Sequence, residues 1–315
     1  MAEPLSNGAA YQSVPESYVF PADMRPGSSP PSSAAAVPVV DLGSDEPDRI
    51  VKQIMDAGRE LGIFQVVNHG VPEQVIGEMM SSAEEFFKLP AEEKMALYST
   101  DSKKLPRFHT SLGNDHEKKL LYWRDCLKLG CYPFEQFRSQ WPQKPASLSA
   151  ALEAYTTAVR AVALRVLRLT AAGLGVDEGH FDGELTGGAV IMNVNHYVAC
   201  PEPSLTLGLA PHCDPNVVTV LADNGVPGLQ ARRRRRRMEV VSNGLLRAGE
   251  HRVVTNASAA RTSLATFVMP AMGCAVAAVT GGEAPLYRPF THQEFLDAYT
   301  AATGDWDAVL ARFQN

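Results

Sequence analysis

The chain has 315 residues, enough for one large domain or two modest ones around a sizeable core. Its 45% hydrophobic and 20% charged content is that of an ordinary folded protein, and its net charge of −6 excludes a general nucleic-acid binder, whose phosphate contacts need a basic surface. Five scattered cysteines with no Cys-x-x-Cys pair exclude a disulfide framework and a thiolate zinc site. With no run of 18 apolar residues to span a membrane and no charged-then-apolar leader pattern, the expected location is the cytoplasm.

Residues 1–36, rich in Pro, Ser, Gly and Ala, read as a flexible, loosely attached tail. A mainly helical region is expected over 37–185. It opens with a short buried strand, Val37 to Leu42, and a helix carrying Ile50, Ile54, Ala57 and Leu61 at steps of 4, 3 and 4 until Gly62 stops it. "IFQVVNHGV" reads as a second strand, and helical patterns cover 73–98, with Pro90 starting a new segment. Leu148, Leu152, Tyr155, Val159, Val162, Val166 and Leu169 define a long helix with Ser147 as N-cap and Gly173 and Gly175 at its end. Its single apolar stripe is expected to back a sheet.

Beyond about 185 the pattern turns to short β-rich runs: Val190–Tyr197, Val217–Leu221, Met238–Val241, Arg252–Thr255 and Thr262–Val268. Short strands between Gly, Pro, Asn and Asp clusters predict a sandwich or jelly roll over 186–288. A C-terminal helix is expected from His292 to about Ala311, within 289–315, with Phe295, Leu296 and Tyr299 on one face.

The chemistry concentrates in the β-rich half. His212 and Asp214 are separated by one residue, so on a strand they share a face. An imidazole beside a carboxylate offers two ligands to a first-row divalent metal, and a second imidazole would complete the two-His-one-carboxylate triad that suits non-haem Fe(II). His251 is the candidate third ligand. Ten positions later Arg261 and Ser263 repeat the i, i+2 spacing, placing a guanidinium and a hydroxyl where they can hold a carboxylate. Arg107, Phe108, Tyr122 and Trp123 are pocket candidates. His69 reads as structural, Cys213 as packing, Cys126 and Cys131 as buried small hydrophobes, and His196 as either pocket wall or core.

The stretches "VPVVDL", "GIFQVVNHGVP", "YWRDCLKLGCYPFE", "MNVNHYVACPEPSLTLGLAPHCDPNVVTVL" and "EVVSNGLLRAGEHRVVTNASAARTSLATFVMP" resemble the plant-type Fe(II)/2-oxoglutarate-dependent dioxygenases, nearest the branch with hyoscyamine 6-dioxygenase and 2'-deoxymugineic-acid 2'-dioxygenase. The resemblance implies an α+β protein with a double-stranded β-helix (jelly-roll) core and a helical N-terminal half packed on it. It implies Fe(II) at His212, Asp214 and His251, and 2-oxoglutarate held by Arg261 and Ser263 with Tyr197 and Asn195 beside them. Oxygen would be the oxidant and ascorbate the reductant. The expected reaction is hydroxylation of a small specialised metabolite coupled to decarboxylation of 2-oxoglutarate to succinate. The expected partner is a small-molecule substrate, with no nucleic acid and no membrane; nothing in the sequence speaks to oligomeric state.

One stretch departs from that pattern. His212 and His251 are 39 residues apart, and relatives need about 15–20 more, roughly two strands' worth. In their place stand Arg232–Arg237, which cannot form a buried β face. Two core strands are therefore expected to be missing near 231–238, half of the smaller sheet, leaving the His251 strand an unprotected edge. The apolar burial lost, on the order of 10 kcal/mol, rivals a domain's whole stability of about 5–15 kcal/mol. An inactive or misfolded truncated relative, a non-catalytic binding protein or a gene-model artefact, is thus the alternative to an active enzyme.

Overall fold

The alternating apolar and polar residues of the second half supply three of the five strands of the central sheet. The computed structural model describes residues 3–7, 11–27, 37–111, 120–232, 240–302 and 305–315. In chain order the elements are β1 (Val39–Asp41), α1 (Pro47–Glu60), β2 (Gln65–Val67), α2 (Glu73–Lys88), α3 (Ala91–Met95), β3 (Arg107–Thr110), β4 (Asp125–Tyr132), α4 (Phe134–Phe137) and α5 (Leu148–Leu174). There follow β5 (Val190–Tyr197), β6 (Leu209–His212), β7 (Val218–Asp223), β8 (Leu229–Ala231), β9 (His251–Val253), β10 (Arg261–Val268), β11 (Ala275–Val276), β12 (Phe290–Thr291), α6 (His292–Ala301) and α7 (Trp306–Ala311).

A five-stranded sheet, β3-β4-β5-β10-β7, is antiparallel throughout, and a three-stranded sheet, β6-β9-β8, is antiparallel too. Pairing registers assign every residue of the large sheet to a face. The rows Phe108–Leu127–Val194–Leu264–Ala222 and Leu129–Met192–Thr266–Val220 lie on the outer face. Their apolar members pack with α1, α2 and α5 in the main core. The rows His109–Cys126–Asn195–Ser263–Asp223, Arg107–Lys128–Asn193–Ala265–Leu221 and Ile191–Phe267–Thr219 alternate with them and form the inner face, toward the small sheet.

The long helix α5 buries its stripe at Leu148, Leu152, Tyr155, Val159, Val162 and Val166 and ends at Gly175, whose φ of 71° is the left-handed cap. Ser147 stands at the expected N-cap position, but its hydroxyl bonds the Ser82 hydroxyl at 2.9 Å and caps nothing. The expected final helix is two, α6 and α7, with Asp305 capping α7 through the Asp307 and Ala308 amides. β3 and β4 lie in the half read as helical and widen the sheet. No strand spans Val240–Val241: that segment is a turn, and Met238 lies outside the described residues.

Three other expectations are corrected. The described parts of the N-terminal segment are firmly packed. Leu5, Val14, Tyr18 and Phe20 are buried, Asp125 accepts the Leu5 and Ser6 amides at 3.1 and 2.8 Å, and the buried Lys94 ammonium donates to Ser6 O, Ser6 Oγ and Phe87 O. The His251 strand is no edge: β9 is the middle strand, paired to β6 on one side and β8 on the other. Among the described residues the edge strands are β3 and β7 of the large sheet and β6 and β8 of the small one, and "GLQ" itself takes the place beside β9. The small sheet thus keeps three strands among the described residues, not half its complement. The run Arg232–Arg237, where the missing strands were expected, lies outside the described residues apart from Arg232. Its amide donates to Glu250 O at 2.9 Å, with the side chain in solvent.

Candidate metal and co-substrate site

β6 ends on His212 and β9 begins on His251, and the pairing sets the two residues opposite each other. Their rings lie 4.3 Å apart between centroids. His212 Nδ1 is 2.9 Å from Ala210 O and His251 Nδ1 is 2.9 Å from Gly249 O, so each ring donates from Nδ1 and keeps the Nε2 lone pair free. Asp214 lies beyond the end of β6, so it reaches the site by the turn of the chain and not by strand alternation. Its Oδ2 accepts the Thr219 hydroxyl at 2.8 Å, while Oδ1 stands 3.5 Å from His212 Nε2. One ligand atom from each of the three residues lies within 4.8 Å of the other two. Two imidazole nitrogens and one carboxylate oxygen, each with its other polar atom already bonded, fit a first-row divalent ion on three sites.

The electrostatics agree. Burial pushes the Asp214 carboxyl up, but His212, His251 and the Thr219 hydroxyl outweigh it and hold the group at about 2, ionised as a ligand must be. Burial and the neighbouring His212 lower His251, favouring the neutral imidazole.

His251 owes its place to more than the sheet. The chain leading to it docks on the end of α1: Arg247 N donates to Gly58 O at 2.9 Å, Arg247 Nη1 to Glu60 O at 3.0 Å, and Leu246 packs against Gly58. Gly249, whose carbonyl orients His251, runs so close to Ile63 that a Cβ there would overlap it. This helix-end anchor holds the third imidazole in place.

Arg261 and Ser263 lie on β10, buried on the inner face, and Arg261 pairs with Tyr197 in the register. Arg261 Nε donates to Val226 O at 3.1 Å and Nη2 to Asp223 Oδ2 at 2.6 Å, which fixes the plane of the guanidinium. It lies over the Tyr197 ring, 5.7 Å from its centroid. Among the described residues Nη1 has no partner. Asn195 accepts from Arg124 at 3.2 Å in the same row as Ser263. Glycines bring the two sheets together here. A Cβ on Gly208 would sit 2.6 Å from the Tyr197 ring and 3.3 Å from Val253, and one on Gly228 would sit 2.7 Å from Arg261 Cδ. His251 is two residues along β9 from Val253, about 7 Å, so the basic clamp and the imidazoles face one interior.

The other candidates divide. His196 points to the outer face, stacks on Phe87 and bonds Thr262 at 3.0 Å. His69 Nδ1 accepts the Val71 amide at 3.1 Å, in a local turn far along the chain from the triad. Cys213 is buried, and Cys126 and Cys131 are fully so. Phe108 belongs to the helix-backed core and Trp123 packs on Tyr11 and Tyr18 of the N-terminal segment, so neither borders the site. Arg107 does lie on the inner face. Thr219 and Asp223, which hold Asp214 and Arg261, escaped the sequence reading. Their signal was alternation within β7, which puts both on the inner face.

A sheet pair with two facing histidines on one sheet, an aspartate brought beside them by a turn, and a buried arginine on the other sheet defines the class of facial-triad, jelly-roll oxygenases. The chain belongs to the 2OG-Fe(II) oxygenase superfamily, whose profile matches residues 189–270, while that of the non-haem dioxygenase in morphine synthesis N-terminal region matches 37–144. It is 38% identical to 2'-deoxymugineic-acid 2'-dioxygenase of Hordeum vulgare, over 92% of this chain and 91% of that one. It is 32% identical to hyoscyamine 6-dioxygenase of Hyoscyamus niger, over 100% and 99%. The crystal structure of JOX2 in complex with 2OG, Fe and JA superposes with a TM-score of 0.84 at 28% identity, covering 98% of this chain and 96% of that one. The family is one of enzymes that use Fe(II), 2-oxoglutarate and O2.

Proposed function

We propose that this chain is a working Fe(II)- and 2-oxoglutarate-dependent dioxygenase that hydroxylates a small specialised metabolite. The observation that carries it is the convergence of His212, Asp214 and His251 within 4.8 Å, each oriented by a second polar contact. In this reading His212, His251 and Asp214 would hold the iron, the imidazoles by Nε2 and the carboxylate by Oδ1. The ion, when bound, supplies oxygen activation coupled to oxidative decarboxylation of 2-oxoglutarate to succinate. Arg261 Nη1 and the Ser263 hydroxyl grip the distal carboxylate, and Tyr197 and Asn195 close that end. The low-lying Asp214 stays an anion without competing for a proton. The named relatives 2'-deoxymugineic-acid 2'-dioxygenase, flavanone 3-dioxygenase 2 and hyoscyamine 6-dioxygenase support a small metabolite as substrate. Five free cysteines support a reducing compartment, the cytoplasm. No helix among the described residues is long and apolar enough to cross a membrane. Ascorbate serves as reductant.

The domain boundaries fit this reading: a mainly helical 37–185, a catalytic jelly roll 186–288 and a C-terminal helical segment 289–315. So does a shortened core. A full jelly roll has eight strands, and the described residues put three in each facing sheet, β5-β10-β7 and β6-β9-β8. The alignment with DOWNY MILDEW RESISTANCE 6 of Arabidopsis thaliana runs over 340 positions against 315 residues here, so about 25 positions have no counterpart in this chain. The missing strands would be one beside β7 and one beside β8, neither of them between the paired strands that carry His212 and His251. The shortening therefore costs stability and spares the chemistry.

The test is iron-dependent binding of 2-oxoglutarate to the full chain without oxygen, then succinate formation with ascorbate and oxygen against a metabolite panel. Binding that Asp214→Ala abolishes is expected. No iron-dependent binding by soluble wild-type protein would refute the proposal.

A further inference from the structure

The inner face of the large sheet carries charge that the iron and 2-oxoglutarate do not use. Beyond Asn195 and Asn193, β4 and β3 present Lys128, His109 and Arg107 in the same two rows that carry Ser263 and Ala265. Strands lie about 4.8 Å apart, so this group begins roughly 10 Å from the Ser263 backbone and ends roughly 14 Å from it, the reach of a small molecule. Arg107 and His109 are 9% and 5% exposed. Arg107 Nε and His109 Nδ1 are buried without a hydrogen-bond partner, and Lys128 Nζ has only Ser102 O at 3.4 Å. No carboxylate among the described residues comes within ion-pair distance of Arg107 or Lys128. Asp125, next in sequence, faces the other way and is occupied by the Leu5 and Ser6 amides.

Lys128 is half-buried, but a buried guanidinium whose Nε is unbonded, with Asp101 acting on it only beyond ion-pair distance, is costly to keep, and this favours an anion brought from elsewhere. The alternative residents of a substrate pocket, aromatic and aliphatic side chains, occupy the other face of these two strands. Burial, followed by repulsion from Arg124, Arg107 and Lys128, drives His109 down to about 2, so it meets a ligand as a neutral imidazole. Burial and then the neighbouring Arg107 lower Lys128. Both shifts are relieved when a negative charge enters.

We infer that the substrate is an organic anion, in the simplest case a carboxylic acid, whose charged group is held by Arg107 and Lys128 with His109 beside it while its remainder extends toward the iron. Arg107 presents a planar fork suited to two carboxylate oxygens, and Lys128 adds a second charge from the next strand. The inference rests on the proposed dioxygenase function and adds the substrate class to it.

The experiment uses the full chain loaded with Fe(II) and saturating 2-oxoglutarate without oxygen, so that the Arg261 clamp is filled and no turnover occurs. Benzoate, phenylacetate and cinnamate are each titrated against their methyl esters by calorimetry. At least one acid is expected to bind about tenfold more tightly than its ester, the strength of a buried charge-assisted contact. Arg107→Gln and Lys128→Gln, each checked for an intact thermal transition, should abolish that preference, and Arg107→Lys should retain part of it. Equal binding of acids and esters, binding by none of the acids, or a preference that survives both glutamine variants overturns the inference. The 2-oxoglutarate titration in the same samples separates the two claims: if it fails in the wild type, the dioxygenase reading falls and takes this one with it, whereas its success with no acid preference removes the anion pocket alone.

Discussion

Thr219→Val is the sharpest test of how the metal site is built. The substitution nearly preserves shape and replaces with a methyl the hydroxyl that donates to Asp214 Oδ2 at 2.8 Å. In the proposed site that bond leaves Oδ1 for the metal. A hydrogen bond to a charged group is worth about 1.5–3 kcal/mol, and at roughly 1.4 kcal/mol per factor of ten its loss weakens iron binding about 10- to 100-fold. The free carboxyl should also titrate higher, because one of the groups that depress it is gone. The assay is anaerobic Fe(II) titration of wild type, Thr219→Val and Thr219→Ser, with the serine variant expected to restore most of the affinity. Equal iron affinity in all three would show that the hydroxyl is incidental and that Asp214 is held by the backbone alone.

Arg261→Gln should raise the KM for 2-oxoglutarate at least about 100-fold and lower unfolding free energy by about 2–3 kcal/mol, since it strands Asp223, which keeps a third of its surface in water; denaturant titration and succinate kinetics check both. Gly228→Ala places a methyl 2.7 Å from Arg261 Cδ and 3.0 Å from Val254 O, so 2-oxoglutarate affinity should fall while Fe(II) affinity holds; a parallel fall of both would refute a local effect. His196 and His292 are held near 4, chiefly by burial. Between about pH 6.5 and 4 the unfolded chain binds these protons and the folded chain does not, so stability is full above 6.5 and falls as pH drops toward 4, by up to about 3 kcal/mol per histidine. Thermal transitions across that range should decline less steeply in His292→Asn than in wild type.

Arg261 and Ser263 were legible as neighbours because an i, i+2 spacing within one strand becomes a shared face, whereas Asp214 comes beside His212 through a turn beyond the end of β6. The candidate third ligand was legible as a residue but not as a position. The 39-residue spacing suggested a weakened mount, whereas His251 is braced by contacts from Arg247, Leu246 and Gly249 to the end of α1. Such contacts between distant segments leave no periodic trace. β3 and β4 were missed for a related reason. Half of their residues face a polar interior, so "RFHT" and "DCLKLG" lack the continuous apolar run of a buried strand. The break between α6 and α7 was hidden because Asp305 caps a new helix on nearly the same apolar side. The N-terminal packing was hidden by composition: a Pro- and Ser-rich segment looks unattached until Lys94 and Asp125 are seen to hold it.

β3 and β4 also constrain how this protein can change. Phe108 and Leu127 seal the helical core, while their immediate neighbours Arg107, His109, Cys126 and Lys128 face the interior. An insertion or deletion of one residue in either strand would exchange the two sets, driving cations into the hydrocarbon layer beneath α2 and α5 and greasing the cavity wall. Length changes there are lethal to folding and recognition together. New ligand preferences in this lineage must therefore arise by point replacement along these strands, with loop-length variation confined to the connections on either side.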